Sequence, residues 1–110
     1  MEDCIFCKII NGEIPKEFKF KSDNLVVFDD INPSAKVHLL IVPKKHIAGI
    51  QDLTKDHGSL LSEIYEVAKN LVSEYNLTNN LYRIIVNGGK AQYVPHIHFH
   101  LLGGSLKKMV

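Results

Sequence analysis

In Pro95-His96-Ile97-His98-Phe99-His100-Leu101-Leu102, histidines alternate with apolar residues. Strict alternation marks a β-strand, whose successive side chains point to opposite faces. One face of such a strand carries His96, His98 and His100, and the other carries Ile97, Phe99 and Leu101 into a core. Neighbouring Cβ positions on the histidine face stand roughly 6.5–7 Å apart, from the rise of a strand. Histidine adds little to a core, so three of them in register point to a ligand.

The 110 residues are enough for one domain, 1–110, with a core that needs no disulfide. Thirteen Lys plus Arg stand against twelve Asp plus Glu, a formal net charge of +1. That balance advertises neither nucleic acid nor a membrane as partner, so any anion site must be local. The start, Met1-Glu2-Asp3-Cys4-Ile5-Phe6-Cys7, has neither the basic opening nor the apolar run of a secretion signal. No apolar run approaches the ~18 residues of a membrane span. A cytoplasmic protein is expected. In a reducing compartment the C-x-x-C spacing of Cys4 and Cys7 suits a metal knuckle or redox pair better than a structural disulfide.

Taken in order, Ile5, Phe6, Ile9 and Ile10 recur at helical spacing and predict a short helix over 4–11, stopped by Asn11-Gly12. Residues 16–21 and 25–28 predict a hairpin about Ser22-Asp23-Asn24, broken by Asp29-Asp30-Ile31-Asn32-Pro33-Ser34. The nearly unbroken apolar run 37–42 predicts a central strand, closed by Pro43. A short helical turn through Ile47 and Ile50 follows. A long helix is predicted over 55–75 with Thr54 as its N-cap; Leu60, Leu61, Ile64, Tyr65, Ala68, Leu71, Val72 and Tyr75 form its apolar stripe. A strand over 81–86, a tight turn at Asn87-Gly88-Gly89-Lys90 and the histidine strand, ended by Gly103-Gly104, complete the pattern. The expected class is α+β: a five-stranded, mainly antiparallel sheet with one long helix and a short N-terminal helix.

The run His96-Ile97-His98-Phe99-His100-Leu101-Leu102 with Gly103-Gly104 resembles the signature of the histidine triad (HIT) family, in its Hint-like, nucleotide-binding branch. Three further stretches resemble the same branch. They are Cys4-Ile5-Phe6-Cys7-Lys8-Ile9-Ile10 with the segment 12–15, Phe28-Asp29-Asp30-Ile31-Asn32-Pro33, and His38 through Pro43-Lys44-Lys45-His46. The resemblance implies a HIT-like fold and a homodimer that binds purine nucleoside monophosphates such as AMP and acts as a hydrolase of nucleoside 5'-phosphoramidates. No organic cofactor is implied.

By position, His98 corresponds to the family nucleophile, attacking phosphorus to form a nucleotidyl-histidine that water then releases. His100 corresponds to a donor to a phosphate or leaving-group oxygen, and His96 to a phosphate or metal contact. Asp30 resembles the ribose-binding acid; Ile5, Phe6, Ile9, Phe28 and Ile31 match the apolar residues about the purine, although spacing alone makes each of them core. Asn87, Gln92, Tyr93 and Val94 fall where the family contacts phosphate. His38 matches a supporting position beside the triad, or a buried histidine with one hydrogen bond. Cys4, Cys7, His46 and His96 match a structural zinc set found in some members. Two departures stand out: Tyr93 sits where many members carry a small hydroxyl residue, and the segment from Asn87 to His96 is short. Two other readings stay open at this stage. One is a nucleotide-responsive binding protein with little turnover; the other is a metal-dependent hydrolase with the histidines as ligands.

Overall fold

Leu25-Val26-Val27-Phe28 and the stretch from Leu39 to Val42 are apolar without alternation because the sheet they occupy is covered on both faces. The computed structural model describes residues 3–106; residues 1–2 and 107–110, the ends of the expected domain, lie outside the described residues. The elements are α1 (Ile5–Ile10), β1 (Phe20–Lys21), β2 (Leu25–Asp29), β3 (Ala35–Pro43), α2 (Gly58–Glu74), β4 (Tyr82–Val86) and β5 (Phe99–Leu106). The strands form one sheet in the order β1-β2-β3-β5-β4, with every neighbouring pair antiparallel. The expected class, strand count and central place of β3 all hold.

On one face, Leu25, Val27, Leu39, Ile41, Phe99 and Leu101 pack against Ile64, Val67, Ala68, Leu71 and Val72 of α2. On the other, Val26, Phe28, Leu40 and Val42 meet Cys4, Phe6 and Ile9 of the N-terminal segment. A helix of six residues cannot cover a face of five strands. The uncovered remainder is where the site lies.

Several boundaries differ from the sequence reading, each for a local reason. The first turn of the long helix is a separate 3-10 turn, Lys55–His57, capped by Thr54, whose hydroxyl accepts from the Asp56 amide at 3.2 Å; α2 proper begins at Gly58. On α2, Val67 is buried, whereas Tyr65 is 50% exposed and lays its ring edge against Phe99. The 3-10 turn after β3 starts at Ile50, which is exposed, while Ile47 alone enters the core. β3 begins at Ala35 rather than 37, and β4 at Tyr82 rather than 81.

The larger correction concerns β5. Its ladder starts at Phe99, after His96 and His98, and runs through Gly103-Gly104 to Leu106 instead of ending there. At Gly103 a Cβ would stand 2.5 Å from Leu77 Cδ1, so only glycine lets the buried Leu77 lie flat on the strand. Gly104, at φ +86, coincides with a one-residue shift in pairing, Val37 opposite Gly103 but Ala35 opposite Leu106. These glycines accommodate a bulge, which bends the strand without stopping it.

Candidate active site

The parity of the histidine run survives although its first half is not laddered. Ile97, Phe99 and Leu101 enter the α2 core, while the rings of His96 and His98 meet the edge of Phe6 on the opposite face, with centroids 5.9 and 5.0 Å away. Between α1, the β2–β3 loop, the 87–94 loop and the open part of the sheet lies a cavity of about 840 Å³. That is the size range of small-molecule sites. Across its floor, Phe28, Leu40, His100 and Ile85 stand in register on four successive strands.

Hydrogen bonds fix the proton on each imidazole. A carbonyl only accepts, so the 2.8 Å contact of His98 Nδ1 with the His96 carbonyl puts the proton on Nδ1 and leaves a lone pair on Nε2. The Ser34 amide donates to His38 Nδ1 at 2.9 Å, so His38 carries its proton on Nε2 and donates it to His100 Nδ1, also at 2.9 Å. His100 must then hold its proton on Nε2. That atom is buried and has no partner among the described residues, an N–H that can donate to an acceptor in the cavity. Two adjacent rings, with centroids 5.0 Å apart, are therefore opposite in character: one offers a lone pair, the other a proton.

Burial pushes His100 down to about 4, helped by its neighbours His98 and His38 and opposed by Asp30. Burial likewise lowers His38, against the nearby Asp30 carboxylate, whose Oδ2 is 3.4 Å from His38 Nε2. Asp30 Oδ1 accepts from the Asn32 amide at 2.8 Å, which holds the carboxylate at the head of the loop.

His96 turns away from the cavity. Its Nε2–H donates to the Pro43 carbonyl at 2.7 Å, which leaves Nδ1 as the lone-pair atom, 3.3 Å from Cys4 Sγ and 3.6 Å from Cys7 Sγ. His46 Nδ1 is 3.3 Å from Cys7 Sγ. The four ligand atoms lie within 4.8 Å of one another. The edges of a tetrahedral zinc site with sulfur and nitrogen ligands are about 3.5 Å, which the Cys4–His96, Cys7–His46 and Cys7–His96 separations match, so two thiols and two imidazoles suit that ion. Burial and the adjacent Cys4 push the Cys7 thiol up to about 11; a bound cation reverses that preference by stabilising thiolate. Cys4 Sγ also accepts from the Cys7 amide at 3.3 Å, capping α1. Asp30, His38 and His100 form a second group with ligand atoms within 4.8 Å. There the facing nitrogens of the two rings already share a proton, and the three triad rings do not converge on one point.

Of the residues singled out in the sequence, Ile5, Phe6, Ile9, Phe28, Asp30, Ile31, His38, Asn87, Tyr93, Val94, His98 and His100 line the cavity. Gln92 stands beside it, its amide donating to the Ala48 and Val94 carbonyls at 2.6 and 3.0 Å and bracing the loop. Cys4, Cys7, His46 and His96 form the separate cluster. The cavity also takes in Ile14, Pro15, Lys16, Asp29, Asn32, Leu40, Arg83, Ile85 and Leu102. Strand parity could have found Leu40, Ile85 and Leu102; nothing local marks Ser34, which acts through its backbone.

The scavenger mRNA decapping enzyme C-term binding family model matches residues 3–110. The chain belongs to the histidine triad family. Among its relatives is the purine nucleoside phosphoramidase of Escherichia coli K12, 37% identical over 105 residues, 94% of this chain and 88% of that protein. An uncharacterized HIT-like protein of Synechococcus elongatus is 41% identical over 94% of this chain and 91% of its own. The crystal structure of a HIT family hydrolase from Legionella pneumophila Philadelphia 1 superposes with a TM-score of 0.92 at 45% identity, covering 96% of both chains.

Proposed function

We propose that this chain is a hydrolase of purine nucleoside 5'-phosphoramidates that works through a nucleotidyl-histidine on His98. The opposed tautomers of His98 and His100 inside one cavity carry the reading. It is further supported by the apolar slot of Ile5, Phe6, Ile9, Phe28 and Ile31 for a purine, with Asp30 near it for the ribose hydroxyls. The related phosphoramidase from Escherichia coli points the same way.

His98 Nε2 attacks the phosphorus; an N–P bond forms to the ring as the P–N bond to the amine breaks. His98 keeps its Nδ1 proton on the His96 carbonyl, so the positive charge of the modified ring is shared with a fixed acceptor. His100 Nε2–H hydrogen-bonds a phosphoryl oxygen, where charge develops, or the departing nitrogen, which takes its proton from solvent and leaves as an amine. Water then attacks the phosphorus and loses its proton to solvent, the P–N bond to the ring breaks, and the nucleoside monophosphate leaves with the His98 Nε2 lone pair restored. Asn87 and the backbone of the 87–94 loop add donors to the phosphate. Cys4, Cys7, His46 and His96 hold a structural zinc ion, which ties the N-terminal segment to the entrance of β5. Two chains assemble as a homodimer.

Release of AMP from adenosine 5'-phosphoramidate tests the reading. Turnover is expected in the parent, near-complete loss in a folded His98→Ala variant, and a loss of about a hundredfold or more in His100→Ala. Denaturing mass spectrometry of a rapidly quenched reaction should show the nucleotidyl adduct on His98. Tight AMP binding with no turnover dependent on His98 would replace the enzyme with a binding protein.

A further inference from the structure

We infer that Lys16 selects the base, favouring a 6-oxopurine, guanine or hypoxanthine, over adenine; this rests on the nucleotide reading of the cavity given above. The row Phe28, Leu40, His100, Ile85 crosses four strands, a span of roughly 14 Å. Phosphorus must sit over His98 and His100, and the apolar slot for the base is at the Phe28 end, walled by Ile5, Phe6, Ile9 and Ile14. Such walls satisfy the two faces of a purine. They offer nothing to its polar edge.

Lys16 lines the same end, half-buried, with Nζ 5.5 Å from the centroid of the Phe28 ring. The following lysine, Lys19, is spent on Glu17 and Asp29, at 3.2 and 3.5 Å. Lys16 makes no ion pair with the described residues, and the Phe28 ring is its partner. Pro15 before it fixes the backbone on its N-terminal side, so the ammonium is presented from a restrained segment. An ammonium has three donors and no acceptor. Guanine presents O6 and N7 side by side as acceptors, and hypoxanthine shares that edge, whereas adenine sets an amino donor beside N7. An ammonium at the end of the slot meets two acceptors in the first case and opposes a donor in the second.

Calorimetric dissociation constants for GMP, IMP and AMP, measured on protein purified without chelator, test the assignment. The parent should bind GMP and IMP about tenfold or more tighter than AMP. Lys16→Met keeps the aliphatic stem over Phe28 and should bring the three constants together, while Lys16→Arg, still a donor, should keep their order. Equal constants in the parent, or a preference that persists in Lys16→Met, would overturn the role of Lys16 and leave the nucleotide site standing. If none of the three binds to folded protein, the nucleotide reading falls, and Lys16 with it.

Discussion

His38, His96 and His100 are each lowered, first of all by burial. Neutrality is what their hydrogen bonds require, since a doubly protonated ring can neither accept from Ser34 nor leave Nδ1 free towards Cys4. It also makes stability depend on pH with a definite sign. In the unfolded chain histidine takes up its proton near ~6.5, whereas folded His100 does so only at about 4. Between these values the unfolded state binds more protons, so the contribution is complete above the unfolded value and drains away as pH falls towards the folded one. Thermal midpoints should therefore drop between about pH 6.5 and pH 4, and His100→Asn should drop less steeply than the parent in the same buffers. Equal slopes would remove His100 as the cause. A sequence cannot supply this: it names the imidazoles, but their protons are set by Ser34, by the His96 carbonyl and by Pro43, partners that act through backbone atoms common to every residue.

At the level of elements, α1 is the exposed side of the arrangement. It has six residues, and its cap is a cysteine thiol that also faces His96. Isolated helices of this length have no stability of their own, so its place over the sheet depends on Phe6, Ile9 and the Cys-His cluster. Metal analysis of untagged, chelator-free protein should find about one zinc per chain, as expected of a four-ligand structural site. Removing it should raise amide exchange across α1 and weaken nucleotide binding before α2 loosens. Metal-free protein with unchanged exchange and affinity would sink that expectation. The elements also show what alternation can and cannot tell. It assigned the correct side to every residue from His96 to Leu101, because parity persists in any extended chain. The ladder's start at Phe99 depends on how far β3 and β4 reach, which is a tertiary matter. Gly103-Gly104 looked like an end because glycine usually marks one; the packing of Leu77 and the bulge at Gly104 are invisible locally. In the same way the apolar side of Phe28 was legible, and Lys16 against its ring was not.

Across the whole molecule, the strand order leaves two edges, β1 with two residues and β4 with five. β4 carries half-buried Ile84, Ile85 and Val86, with Leu81 and Tyr82 exposed beside them. An open apolar edge of this kind invites a second strand. Pairing of β4 with its copy would give a homodimer with a continuous sheet, and light scattering at micromolar concentration should return twice the chain mass; a single-chain mass would reject it. Among the described residues no helix is long and apolar enough to cross a membrane. The contact between Cys4 and His96 joins positions 92 apart. During synthesis the early segment emerges first; β2 and β3, which meet Phe6 and Ile9, follow it, but the His96 ring that faces Cys4 is among the last groups to leave the ribosome. A nascent chain therefore lacks the far side of the Cys-His cluster for most of translation, and it has no working part of the site until nearly all of its strands are in hand. Chaperone dependence of this fold should concentrate in that interval.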